Sequence, residues 1–83
     1  MPGKEPAPSN KVTEKFNQIA KGTRDFSSVA ANIDFYRIKR QNRDKITSPE
    51  MLIVMEGMDR EYIGFSDSEL LDLVKRLEQR AKN

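Results

Sequence analysis

Residues 46–83 read ITSPEMLIVMEGMDREYIGFSDSELLDLVKRLEQRAKN, and this stretch decides the fold. It spells two helices with a stop and a restart between them. Thr47-Ser48-Pro49-Glu50 opens the first. Proline suits a first helical turn, where its missing N–H is an orphan anyway, and the residue before it is biased away from α conformation. Ser48 can cap the helix directly, or Thr47 and Glu50 can form a capping box, and the sequence allows both. Gly64 closes this helix. Phe65-Ser66-Asp67-Ser68-Glu69-Leu70 opens the next with a Ser-x-x-Glu capping box, and Phe65 is placed to staple onto Leu70. The spacing predicts helices over 49–62 and 67–81.

The last helix carries one apolar face: Leu70, Leu73, Val74, Leu77 and Ala81. Its early acids (Asp67, Glu69, Asp72) and late bases (Lys75, Arg76, Arg80, Lys82) match the helix dipole. Asp72 with Arg76, and Glu78 with Lys82, are i,i+4 pairs. In the helix before it, Met51, Val54, Met55, Met58 and Tyr62 share a face. Gly57 costs about 1 kcal/mol there relative to alanine and marks a point where the helix could break. The short link Ile63-Gly64-Phe65 makes the two helices neighbours, as an antiparallel hairpin or as a sharper corner.

Working outward, Val12, Phe16, Ile19 and Ala20 fall on one helical face, which predicts a helix over 11–21 capped by Ser9 or Asn10. Gly22 suits the C′ position, where the left-handed conformation is free of a Cβ clash. Asp25 can cap a further helix with Phe26, Val29, Ala30, Ile33 and Tyr36 on its stripe. Phe35 and Ile38 lie off that stripe, so residues 33–38 also read as a short strand, with helix preferred because Ala30-Ala31 precede them. Residues 1–10 hold three prolines and no period, and a disordered tail is expected. The expected architecture is all-α: three to four short helices in one small domain, 11–83.

Composition bounds the function. The chain has 83 residues, 36% of them apolar. A core of this size rarely supplies more than about 3–5 kcal/mol unaided. With no Cys and no His, disulfide and zinc support are out of reach, so docking onto a partner protein or self-association as a homodimer is expected. Absence of Cys fits a reducing, cytoplasmic location. No membrane span or targeting segment is expected, since the longest apolar run is Met51 to Met55.

Nucleophilic catalysis needs an activated nucleophile and a base, and the serines mostly sit where caps are wanted. Asp67, Glu69 and Asp72 have a dipole explanation that outweighs metal binding. The glycines are isolated, so no phosphate loop exists. The chain is read as non-enzymatic, with no cofactor and no metal.

Two binding surfaces remain. Met51 to Met55 is apolar all round, more than a small domain can bury, and flexible thioethers suit adaptable protein contacts. This nominates Met51, Leu52, Ile53, Met55, Met58 and Tyr62, with the exposed parts of Phe35 and Ile38, as the interface of a regulator or assembly subunit. The alternative lies in Arg37, Lys39, Arg40, Arg43 and Lys45, five cations in nine residues with Tyr36 just upstream. Such a segment can neutralise phosphates and stack a base, as an accessory nucleic-acid-binding protein would. A helix-turn-helix reading of the last two helices fails, because the recognition helix would lead with Asp67-Ser68-Glu69. Charge divides along the chain: residues 1–45 carry ten Lys/Arg against five Asp/Glu, and residues 46–83 five against eight.

Overall fold

A computed structural model of the chain describes residues 10–83. The fold is all-α. It comprises α1 (Asn10–Gly22), α2 (Phe26–Gln41), a 3₁₀ turn (Arg43–Lys45), α3 (Pro49–Glu61) and α4 (Asp67–Lys82). The expected tail lies outside the described residues, except for Asn10, which belongs to α1.

Local chemistry sets each boundary. The Asp25 carboxylate accepts from the Ser28 N–H at 3.1 Å and from its hydroxyl at 2.8 Å. These bonds, the side-chain one foremost, hold the Asp25 carboxyl below its ordinary range. Ser48, not Thr47, caps α3: its hydroxyl accepts from the Met51 N–H at 3.3 Å, with Pro49 opening the helix. Gly57 does not break α3. At α4 the capping box forms in both directions, Glu69 N–H to Ser66 Oγ at 3.1 Å and Ser66 N–H to Glu69 Oε1 at 2.8 Å. The backbone bond from Ser66 keeps the Glu69 carboxyl low. Asp72 and Arg76 pair at 3.2 Å, and Glu78 with Lys82 is not among the ion pairs of the described residues.

Residues 33–38 are helical throughout. Their ambiguity has a physical source: α2 is apolar on two sides. Ala30, Ile33 and Tyr36 point into the core, while Phe35 and Ile38 remain half exposed on another side. A pattern serving two faces blurs the 3.6 period that one face would show.

The core is one cluster drawing on all four helices. Its centre is α4, whose Leu70, Leu73, Val74 and Leu77 are buried between α2 and α1. Val12 comes from α1, and the Phe16 and Phe26 rings stack at 6.5 Å between centroids. α3 packs on α2 rather than along α4, so the link between α3 and α4 is a corner and not a hairpin. The Phe65 N–H returns to the Tyr62 carbonyl at 3.1 Å across Gly64, whose φ is +81°. Gly22, by contrast, ends α1 without entering the left-handed region.

The two glycines of α3 and its corner should therefore respond oppositely to alanine. At Gly64 a Cβ carries a penalty of about 1–2 kcal/mol from the left-handed conformation. At Gly57 an added Cβ meets nothing within 4 Å, and helix propensity favours alanine by about 1 kcal/mol. Thermal melts should move down for Gly64→Ala and up for Gly57→Ala, by roughly 4–8 °C per kcal/mol in a domain of this size.

Candidate docking surface

α3 is the least embedded helix. Met55 is the one residue within it that the core buries, at 1% exposure, and Tyr62 follows at its C-cap with 5%. Both were expected on a protein-binding face. The structure puts them inside instead, because the helical period that aligns them with Met51 and Met58 aims them at α2. The Tyr62 ring sits 6.0 Å from Tyr36 and 5.6 Å, edge-on, from Phe65.

The side of α3 next to α2 is different. Val54 is 55% exposed, Met51 and Met58 are half-buried, and across from them α2 presents Phe35 and Ile38, each 46% exposed. Two cavities lie along this seam. One of about 260 Å³ is lined by Asn32, Phe35, Tyr36, Val54, Met55 and Met58. The other, about 450 Å³, is flanked by Ile38, Ile46 and Met51, with Lys39 and Lys45 at its rim. Met51 and Met58 of the expected interface thus line the seam. Leu52, half-buried, and Ile53, 68% exposed, line neither cavity.

The basic segment is largely spent inside the molecule. Tyr36 is buried and donates its hydroxyl to Asp59 at 2.7 Å. Arg43 closes on both oxygens of the same carboxylate at 2.7 Å. Arg37 pairs with Asp34 at 2.9 Å and with Asp67 at 3.3 Å. Arg40 donates to the Phe65 carbonyl at 2.9 Å and lies over the Tyr36 ring. Lys39 rests over the Phe35 ring, 5.3 Å from its centroid. Lys39 and Lys45 are in no ion pair among the described residues.

Sequence reasoning missed the carboxylates that receive these cations. Asp59 joins α3 to α2 and to the 3₁₀ turn at once. Asp67 takes Arg37 and also Gln41, the latter at 2.8 Å. Lys15 of α1 reaches Glu61 at 2.7 Å and lies over the Tyr62 ring, and Lys11 reaches Glu69 at 3.5 Å. Nothing in the sequence announces these partners, which are 16 to 58 residues apart. Asn32 and Ile46, also cavity-lining, carried no signal either. Val54 did, through the all-round apolar run Met51 to Met55. No family model, curated protein or solved structure matches this chain.

Removing the Asp59 carboxylate leaves a buried phenol without its acceptor and frees Arg43. Asp59→Ala should lower unfolding stability by about 1–2 kcal/mol in urea titrations. Arg43→Ala, which breaks only the half-exposed ion pair, should lower it by less than about 1 kcal/mol.

Burial pushes the Tyr62 phenol up to about 12, with Glu61 adding to the effect. Burial and the Asp59 hydrogen bond also raise Tyr36. Unfolded phenols ionise near pH 10, about two units lower than Tyr62 in the fold. The neutral phenols therefore contribute stability that is complete below about pH 10 and is lost as pH rises through about 12. Urea midpoints measured across that window should fall, and Tyr62→Phe should flatten the fall.

Proposed function

We propose that the protein is a non-enzymatic helical interaction module, a small regulator or assembly subunit, which docks a protein partner along the seam between α2 and α3. One observation carries this reading: α2 and α3 together line two open cavities, one with Phe35, Val54 and Met58 and the other with Ile38 and Met51, and Phe35, Ile38 and Val54 stay about half exposed there. Singly exposed apolar residues are ordinary, whereas several gathered at openings between the same two helices of so small a domain call for a cover. Tyr62 and Met55 serve as the floor and support of this surface, not as its contacts.

The non-enzymatic part rests on the chain's lack of His and Cys and on the occupation of its serines. Ser28, Ser48 and Ser66 all hydrogen-bond at helix N-termini, and the carboxylates beside them, Asp25 at Ser28 and Glu69 at Ser66, are engaged in the same caps. Asp25 is fully occupied as a cap. A cytoplasmic setting belongs to the same proposal. No helix among the described residues is long and apolar enough to cross a membrane.

Phosphate contact through the segment 37–45 is the second reading, and Lys39, Lys45 and Arg40 are its cations outside the ion pairs of the described residues. Photo-crosslinking separates the two. A photoreactive residue at Val54 should capture a discrete protein in the native cell, a control at the exposed Glu78 should not, and Phe35→Asp should abolish the capture. Amide shifts confined to Lys39 and Lys45 on adding DNA or RNA oligonucleotides at low salt, with no Phe35-dependent crosslink, would replace docking by phosphate binding.

A further inference from the structure

The seam also says what kind of partner fits it. It is a groove between two helices. Its two cavities share no lining residue but both open on α2, which from Asn32 to its last helical residue, Gln41, runs about 14 Å at 1.5 Å per residue. That is the length of about three turns of a docked helix, which presents apolar anchors at i, i+3 or i+4, and i+7. One end is apolar, with Phe35, Val54 and Met58 in its lining; at the other, Ile38, Ile46 and Met51 stand among Lys39, Asn42, Lys45, Thr47 and Ser48.

The charge of the groove is one-sided. Lys39 and Lys45 are the charged residues among its lining, and no carboxylate lines either cavity. Of the neighbouring arginines, Arg37 pairs with Asp34 and Asp67 and Arg43 with Asp59, while Arg40 is tied to the Phe65 carbonyl and lines neither cavity. The two lysines have no ion-pair partner among the described residues. They would stay in water at the rim of a bound helix, where charge sets partner choice more than affinity.

We infer that the occupant of the α2–α3 groove is an acidic amphipathic helix of a partner protein, with its apolar side chains seated between Phe35, Val54 and Met58 and its carboxylates beside Lys39 and Lys45. This rests on the docking surface proposed above and adds the partner's chemistry to it. A second copy of this chain is a poorer fit. A two-fold contact is self-complementary and would bring the lysines of both copies to one patch. A nucleic acid fits less well again, since the arginines that would follow a backbone are already bonded within the fold.

The test uses the full chain, isotopically labelled, and two designed peptides of about 15 residues, four helical turns. Both carry the same leucine and phenylalanine anchors. One has glutamates at its remaining positions and the other lysines. The glutamate peptide should shift the amides of Asn32, Phe35, Ile38, Lys39, Lys45, Val54 and Met58 and bind about tenfold tighter than the lysine peptide. Lys39→Glu combined with Lys45→Glu should reverse that order, and Phe35→Ala should weaken both peptides. These three residues lie outside the core, so the variants keep the fold, which the amide spectrum verifies.

Equal binding of the two peptides in the groove would overturn the acidic class and leave the docking surface standing. Shifts away from the groove, or none, would overturn the docking surface itself. Groove shifts that grow with protein concentration before any peptide is added would assign the groove to a second copy and overturn the inference.

Discussion

One helix face holds this molecule together. Leu70, Leu73, Val74 and Leu77 of α4 are all buried, with α2 against one side and α1 against another. In a chain of 83 residues there is little apolar surface to spare, and most of what is buried meets this face. The capping box at Ser66 and Glu69 fixes where α4 begins, and thereby which residues its face presents. The other helices are placed by what they can bury against it: α1 through Val12, and α2 through Ala30, Ile33 and Tyr36.

Charge completes what burial begins. The basic first half of the chain folds onto the acidic second half. Lys11 with Glu69, Lys15 with Glu61, Arg37 with Asp67 and Arg43 with Asp59 each span that division. Individually such exposed or half-exposed pairs contribute little. Collectively they select one arrangement of four short helices over others that would bury the same apolar area, since a different arrangement would set like charges together. The asymmetry that suggested an external polyanion is thus answered mainly within the molecule.

α3 stands apart in this scheme. It buries Met55 and the adjoining Tyr62 in the core, packs Met51 and Met58 partly against it, and is tied by polar groups at Asp59, shared by Tyr36 and Arg43, and at Glu61, held by Lys15. With Met55 the one fully buried residue within it, α3 keeps Ile53 and Val54 outside, beside the half-exposed Phe35 and Ile38 of α2. The second apolar side of α2 therefore has a partner on only part of its length. That incomplete cover, rather than any single residue, is the basis of the docking proposal.

The sequence by itself determined the helices and most of their ends, the far end of α2 excepted. Caps, proline at the first turn of α3, and the glycine at the corner are local chemistry, acting over three or four residues, and local chemistry is legible along a chain. It also identified Met51 to Met55 as too apolar for complete burial. Tertiary structure alone decided which of those residues turn inward. Met51, Met55, Met58 and Tyr62 share a stripe in the sequence, yet Met55 and Tyr62 are buried while Met51 and Met58 line an open groove. The difference depends on where α2 lies against α3, and that is set by Asp59, Tyr36 and Arg43 meeting across 16 and 23 residues of chain. The same carboxylate engages Arg43, and Asp34 with Asp67 engages Arg37. Pairings of this kind depend on the mutual placement of whole helices, which no period or spacing in the sequence encodes.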